Sequence, residues 1–292
     1  MYRLTDNKSN IFDEREVFLV ELFEVNKSTC IRDGHCVASC PAALISFPKG
    51  EYPRPIDGAE DLCIRCGHCV AVCPTASLSH REMPVESCPP VRPDLRLTID
   101  QCEHFLRARR SIRAYKKQAV PQDALRRLID LASHAPTGHN SQCVEWLVLS
   151  DREELHKLAS IVADWMRWMI AQMREYALSM HMDRTLSGWE AGRDVFLRNT
   201  PALVIAHAEK DNRMAPAACT IALTQLELAA TALGLGGCWA GYFMAASSFF
   251  PPMTEALQLP AGHQCFGSLM LGYRKYDYHR LPLRLAPRIT WR

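Results

Sequence analysis

The 292-residue chain lacks the common nucleotide fingerprints: it has no G-x-G-x-x-G after a strand pattern and no Walker loop. Its nearest approach, Gly234-x-Gly236-Gly237, follows a helical pattern. The chain is poor in net charge. Lys and Arg number 34 against 32 Asp and Glu, leaving +2, too little to argue for nucleic acid or an anionic membrane surface. No apolar run reaches the length of a membrane span, and Met1–Asp6 lacks the apolar core of a secretion signal. The expectation is a cytoplasmic protein that binds neither membrane nor nucleic acid. Hydrophobic content of 48% and charged content of 23% are ordinary for a globular chain of one large or two modest domains.

Cysteine, by contrast, is abundant. Thirteen cysteines in a chain expected to be cytoplasmic point to metal or redox chemistry rather than to cross-links. Seven fall in two runs. Cys63, Cys66, Cys69 and Cys73-Pro74 form an unbroken C-x2-C-x2-C-x3-C-P, the spacing that holds iron–sulfur clusters in bacterial-type ferredoxins. Cys30, Cys36 and Cys40-Pro41 repeat it 33 residues upstream, with Asp33 in place of the second cysteine. Between Cys30–Ser46 and Cys63–Ser79, twelve of seventeen positions are identical, an internal duplication. A zinc site uses four ligands in two pairs, which this pattern does not match. Because the fourth cysteine of each run serves the other cluster, Cys63, Cys66, Cys69 and Cys40 are expected to hold one 4Fe-4S cluster. Cys30, Cys36 and Cys73 are expected to hold the other. Asp33 either ligates iron there, giving 4Fe-4S, or marks the empty corner of a 3Fe-4S cluster. Cys88 lies well past the repeat. The remaining cysteines (Cys102, Cys143, Cys219, Cys238 and Cys265) are scattered, and core packing is their default role.

Residues 17–25 read as a strand leading into the first cluster loop. Short strands are expected after each loop, at Leu44–Phe47 and Leu78–Ser79. Residues 84–93 hold four prolines and no periodicity, which marks a stiff linker between a domain at 1–92 and another at 93–292. Beyond it, helices are expected at 101–110 with Asp100 as N-cap, at 121–133 and at 153–180. Core strands are expected at 146–149, 202–206 and 269–272. A helix over 217–233, apolar nearly all round, should be buried, with another subunit as a candidate surface to cover it. Gly234–Gly241 is expected to break that helix. The alternation argues for an α/β or α+β layer structure. The Met and Trp positions around Trp165 and Trp168 read as core, as does Phe243.

Four stretches of the second half stand in a recognisable order: Arg109–Tyr115, Pro136–Gln142, Gly234–Phe243, and Gly272–Arg274 continuing to His279–Arg284. Together they resemble the FMN-dependent nitroreductase family over residues 94–292. With the cysteine repeat, the chain resembles the subgroup carrying an N-terminal two-cluster ferredoxin domain. The resemblance implies an α+β fold: a nitroreductase-like α/β/α flavin domain with a central sheet, preceded by a small ferredoxin-like α+β domain. It implies FMN as cofactor and a homodimer with FMN at the interface. By resemblance, Arg109, Arg110, Ser111 and Arg113 hold the phosphate and ribityl end, and Arg280 and Arg284 close on the phosphate from the C-terminal tail. Arginine forks suit phosphate oxygens. By the same resemblance Gly241 lets a backbone N–H approach the flavin N5, framed by Ala240 and Trp239. Pro136, Thr137, Gly138 and Asn140 reach FMN from the second subunit. Many family members place a proline after Asn-Ser-Gln; here Cys143-Val144-Glu145 follows.

The activity implied is an oxidoreductase that passes electrons between iron–sulfur clusters and FMN and reduces a small organic acceptor, of the nitroaromatic or quinone class. The alternative is an electron-transfer module in which NAD(P)H reduces FMN and the clusters reduce a partner protein. The redox partner is accordingly ferredoxin or NAD(P)H. No general acid or other catalytic side chain is named.

Overall fold

The computed structural model describes residues 21–292. The chain divides between Pro93 and Asp94 into two compact units.

The first unit is small and built on the duplication. Of the strand expected over 17–25, residues 17–20 lie outside the described residues, and β1 is Phe23–Val25. There follow α1 (His35–Ser39), β2 (Ile45–Ser46), β3 (Arg54–Pro55), α2 (Ala59–Leu62), α3 (His68–Ala71) and β4 (Leu78–His80). β1 pairs with β4 and β2 with β3, both antiparallel. The repeat is visible in the backbone. Arg32 and Arg65 have φ of 58° and 53°, Gly34 and Gly67 of 73° and 70°, Ala43 and Ala76 of 53° and 50°. Left-handed backbone at two non-glycine residues per copy costs free energy. The same strain at the same offset in both copies means that each loop curls alike around a centre. A small core of Leu22, Phe23, Leu44, Ile45, Ala59, Val70 and Leu78 lies beneath the loops.

The second unit contains α4 (Ile99–Ala108), α5 (Gln122–Ala132), β5 (Glu145–Leu149), α6 (Arg152–Gln172), α7 (Arg174–Ser179), α8 (Met182–Glu190), β6 (Ala202–Glu209), α9 (Ala215–Ala230), β7 (Leu235–Trp239), α10 (Gly241–Phe249), α11 (Pro251–Leu257) and β8 (His263–Tyr273). The sheet order is β5-β6-β8-β7, with every pair antiparallel. Alternation on β6 sorts the two faces. Ala202, Val204, Ala206 and Ala208 pack with α5 and α9, whereas Leu203 and Ile205 pack with α6, α8, α10 and α11. The unit is thus helix–sheet–helix, and burying each such Leu or Ile contributes about 1.5–3 kcal/mol.

Several expectations shift. α4 starts at Ile99 because Thr98, not Asp100, is its cap. Thr98 Oγ1 accepts from the Gln101 amide at 3.2 Å, and Gln101 Oε1 accepts from the Thr98 amide at 2.9 Å. The helix expected over 153–180 divides at Met173, whose φ of −133° and ψ of 52° are not helical. Gly234 does end the preceding helix, in left-handed conformation, but the glycine-rich stretch after it is strand β7, not a loop. A Cβ on Gly236 would lie 2.2 Å from Ile112 Cγ1, and one on Gly237 2.9 Å from Leu269 Cδ2. The glycines are there so that neighbours can enter the strand's own space.

Residues Ala215–Leu233 are, contrary to the sequence expectation, long and apolar enough to cross a membrane by length and composition. The structure instead uses α9 as a sheet-covering helix. Ala218, Cys219, Ala222, Leu223, Leu226 and Glu227 are buried, while Ala217, Thr220, Ile221 and Thr224 face outward in the single chain.

Candidate functional site

In the first unit the cysteines gather into two sets. One concavity is lined by Cys30, Asp33, Cys36 and Cys73; another by Cys40, Cys63, Cys66 and Cys69. Each set takes one cysteine from the other copy of the repeat, as the spacing implied. Backbone amides point at the sulfurs: Leu44 N to Cys40 Sγ at 3.3 Å, Arg65 N to Cys63 Sγ at 3.4 Å, and Ser77 N to Cys73 Sγ at 3.2 Å. Burial pushes the Cys69 thiol up to about 11, and burial also raises Cys36. At Cys73 burial acts in the same direction, but hydrogen bonds from Ser77 and Thr75 outweigh it and hold the thiol below its usual range. Clustered thiols become thiolates together against a cationic centre, so the two donor sets, four thiols in one and three with the Asp33 carboxylate in the other, fit iron–sulfur clusters.

Asp33 takes the place of a thiol in the first set, and both its oxygens are engaged locally. Oδ2 lies 3.0 Å from His35 Nδ1, and Oδ1 accepts from the His35 amide at 3.2 Å.

In the second unit a large cavity, about 590 Å³, is walled by Trp165, Met169, Met173, Phe196, Cys238, Trp239, Gly241 and Tyr242, with Arg113 and Arg198 among its lining. β7 delivers Cys238 and Trp239 to it, and the first residues of α10 deliver Gly241 and Tyr242. A Cβ on Gly241 would meet nothing within 4 Å, so its backbone faces open space. Ala240 is buried behind it, its amide donating to Ser268 O at 3.1 Å. The indole N–H of Trp165 is buried at this wall without a partner among the described residues. Such a cavity, mainly apolar with a few convergent polar groups, suits a flat heteroaromatic ligand carrying an anionic tail.

The Arg109–Tyr115 segment crosses the end of the β7–β8 pair. Ile112 N donates to Gly237 O at 2.8 Å, and Lys116 N to Tyr273 O at 2.8 Å. This strapping splits the expected phosphate set. Arg113 lines the large cavity. Arg109 and Arg110 line a separate, smaller cleft with Glu227, Gly234–Gly237 and Arg274. Arg109 Nη1 donates to Glu227 Oε1 at 2.9 Å. Ser111 lies half-buried between them. Burial of the Tyr115 hydroxyl, which donates to Met270 O at 3.3 Å, raises its pKa strongly.

Pro136, Thr137, Gly138 and Asn140 lie in a tight turn that does not line the large cavity of its own chain. Thr137 Oγ1 accepts from Gln142 N at 3.0 Å, and His139, Asn140 and Gln142 are left-handed. A Cβ on Gly138 would lie 2.3 Å from Met214 Sδ, so a larger residue there requires that methionine side chain to move. Arg280 and Arg284 are exposed on the C-terminal tail, and among the described residues Arg280 donates to the adjacent His279 O at 2.8 Å.

Sequence reasoning missed Arg198 and Glu227. Arg198 has a φ of 57° in a loop organised by Asp194, whose carboxylate accepts from the amides of Phe196, Leu197 and Asn199; nothing in the sequence marks it. Glu227 carried a signal, as the one charge in the apolar α9. Of the aromatic positions read as core, Trp165 also lines the cavity, Phe243 is fully buried, and Trp168 is 41% exposed.

Residues 106–273 match the family model described as "Nitroreductase family", and residues 29–78 match a "4Fe-4S dicluster domain". A protein of Archaeoglobus fulgidus, by its name an NADH dehydrogenase/NAD(P)H nitroreductase, is 24% identical over 196 residues, covering 65% of this chain and 95% of that one. Among solved structures, a nitroreductase with bound FMN from Bacteroides fragilis is 20% identical with a TM-score of 0.55, covering 65% of this chain and 98% of its own. A BluB-like flavoprotein from Clostridium difficile is 17% identical with a TM-score of 0.53, covering 65% and 99%. These two likenesses bear on the fold.

Proposed function

The chain belongs to the nitroreductase family, and from that premise we propose that it is an iron–sulfur flavoprotein oxidoreductase that passes electrons between two clusters and FMN and reduces a small organic acceptor. When bound, the FMN supplies two-electron chemistry and the clusters supply single electrons. The observation that carries the reading is one chain holding two cysteine-lined concavities together with a 590 Å³ cavity at which Arg113, Trp239 and Gly241 converge. The Bacteroides fragilis nitroreductase holds bound FMN, and a ligand of that kind fits the cavity's mix of apolar wall and cation.

In this reading Arg113 neutralises the anionic end of the flavin, with Arg198 as a second cation. Gly241 presents backbone without a side chain to the ring edge. Trp165, Met169 and Phe196 exclude water and leave room for an aromatic acceptor. Arg109 acts through Glu227 and holds the strap rather than the phosphate. Cys40, Cys63, Cys66 and Cys69 carry one 4Fe-4S cluster; Cys30, Cys36 and Cys73 carry a second cluster, of the 3Fe-4S kind where Asp33 stays with His35. A homodimer completes the flavin site, with Thr137, Gly138, Asn140, Arg280 and Arg284 offered to a second copy. Exposed Leu283, Leu285 and Trp291 on the tail support this, because apolar side chains 94%, 97% and 86% exposed favour a surface to cover them.

The name of the Archaeoglobus relative favours a second reading, in which NAD(P)H is the donor and the clusters reduce a partner protein. Anaerobic stopped-flow reduction with reduced ferredoxin, NADH and NADPH separates the two. Flavin bleaching by ferredoxin that is lost in Cys66→Ala supports the first. Bleaching by NAD(P)H, with unchanged ferredoxin kinetics in Cys66→Ala, supports the second.

A further inference from the structure

Glu145, His207 and His263 take no part in the chemistry above. We propose that they form a site for a borderline divalent metal ion of the zinc type, with two imidazoles and one carboxylate as ligands and the remaining position open to water.

The sheet register builds the cluster. Glu145 on β5 is the direct cross-strand partner of His207 on β6, and His207 is the partner of Cys265 on β8. Cross-strand partners project to the same face with Cβ atoms about 4.5–5.5 Å apart. His263 stands two residues from Cys265 and so shares that face. The register slips between Ala206 and His207, and this bulge re-aims the last turns of the β6–β8 pair. His207 Nδ1 and His263 Nδ1 come within 3.0 Å, and His263 Nε2 lies 3.9 Å from Glu145 Oε1. One ligand atom from each residue can be chosen so that all three lie within 4.8 Å of one another.

The distances suit one ion. Tetrahedral zinc with ligands at about 2.0–2.1 Å places its donor atoms roughly 3.3 Å apart. The two nitrogens already meet that spacing. The Glu145 carboxylate lies against the other nitrogen of His263, and Glu145, 58% exposed on its side chain, has the freedom to swing toward the Nδ1 pair. Two imidazoles select against magnesium and calcium, which take oxygen ligands. Cys265 is not a ligand: its thiol donates to Gly267 O at 3.6 Å. His207 is buried and His263 nearly so. An ion there would tie β5, β6 and β8 together at one end of the sheet. Glu145 belongs to the Cys143–Glu145 stretch in which this chain departs from the proline of many family members, so the family pattern does not supply the site.

The test uses anaerobically purified holoprotein, with iron and sulfide measured to verify that the clusters are retained. Wild type, Glu145→Gln and His263→Gln are dialysed against Zn²⁺, and bound zinc is counted and examined by X-ray absorption. The expected result is one more zinc per chain in wild type than in His263→Gln. Its absorption should show a nitrogen and oxygen shell containing imidazole. Affinity in Glu145→Gln should be lower by about tenfold or more, at least the loss seen when weaker outer partners of metal ligands are removed. Equal uptake by wild type and His263→Gln overturns the proposal. So does a sulfur shell at about 2.3 Å, which would place the zinc on cysteines. Glu145 is an exposed strand residue, so Glu145→Gln keeps the test decisive if the histidine variant does not fold; unchanged affinity in it also overturns the site.

Discussion

Arg109 Nη1 donates to Glu227 Oε1 at 2.9 Å, and the carboxylate it meets is 5% exposed. A carboxylate buried in an apolar helix is tolerated when a cation and a hydrogen bond compensate its lost hydration. The pair fastens the Arg109–Tyr115 strap to α9, and so positions Arg113 at the large cavity. The two arginines, four residues apart, therefore do different work, and substitution should separate them.

Glu227→Gln keeps the shape and removes the charge. It should cost about 1–3 kcal/mol, less than a fully buried pair because Arg109 is 26% exposed, and lower the melting temperature by several degrees. Arg113→Ala should leave the melting of flavin-free protein unchanged. It should weaken FMN binding by about tenfold or more, the loss of one charge-assisted hydrogen bond of about 1.5–3 kcal/mol. Flavin fluorescence titration and thermal melting of both variants check this. A stability loss in Arg113→Ala with normal FMN affinity would reverse the assignment.

The glycines of β7 and α10 make a second contrast. Gly236→Ala puts a Cβ 2.2 Å from Ile112 Cγ1, and Gly237→Ala puts one 2.9 Å from Leu269 Cδ2. Overpacking of this kind costs about 1–3 kcal/mol. Gly241→Ala meets nothing within 4 Å and should melt as wild type. Its added methyl enters the cavity, so acceptor reduction and the flavin absorption spectrum should change without loss of fold. Circular dichroism melting beside flavin spectra distinguishes the two classes.

The cluster loops were legible from sequence because ligand geometry fixes spacing: three thiolates on one loop cannot drift by a residue. The apolar β6 and the α5 stripe of Leu125, Leu128 and Ala132 were legible for a similar reason, since burial repeats with the period of the element. β7 was not. Its two glycines, Gly236 and Gly237, weaken every strand signal, and the reason for them lies in Ile112 and Leu269, which are distant in sequence. The break at Met173 has no proline or glycine to announce it. Glu145, His207 and His263 could not be grouped, because only the register of three strands brings them together.

Asp33 makes a third prediction. Its two oxygens already serve His35, one at Nδ1 and one at the amide, so a 3Fe-4S cluster is the expected occupant of the Cys30, Cys36 and Cys73 site. Asp33→Cys should restore the full spacing. It should raise the iron count by one per chain and abolish the EPR signal of an oxidised three-iron cluster. An unchanged count, with no three-iron signal in wild type, would make Asp33 itself the fourth ligand.

The buried thiol of Cys219 gives a prediction about alkaline pH. Burial pushes it up from 9.0 to about 12. In the unfolded chain the thiol releases its proton near 9.0, while in the folded chain it keeps it. Above that pH the unfolded state therefore binds fewer protons, and stability falls as pH rises from about 9 toward 12. Cys219→Ala removes this contribution, so its alkaline loss of stability should be shallower than wild type's, at the cost of a small cavity. The same burial should shield the thiol from reagents, because the thiolate is the nucleophile. At pH 8, iodoacetamide should label exposed Cys88 and spare Cys219 until the protein is denatured, which peptide mass mapping before and after guanidinium treatment reads directly. Labelling of Cys219 in native protein would mean that α9 opens from the sheet on the timescale of the reaction, and would count against its place as the packed centre of that face.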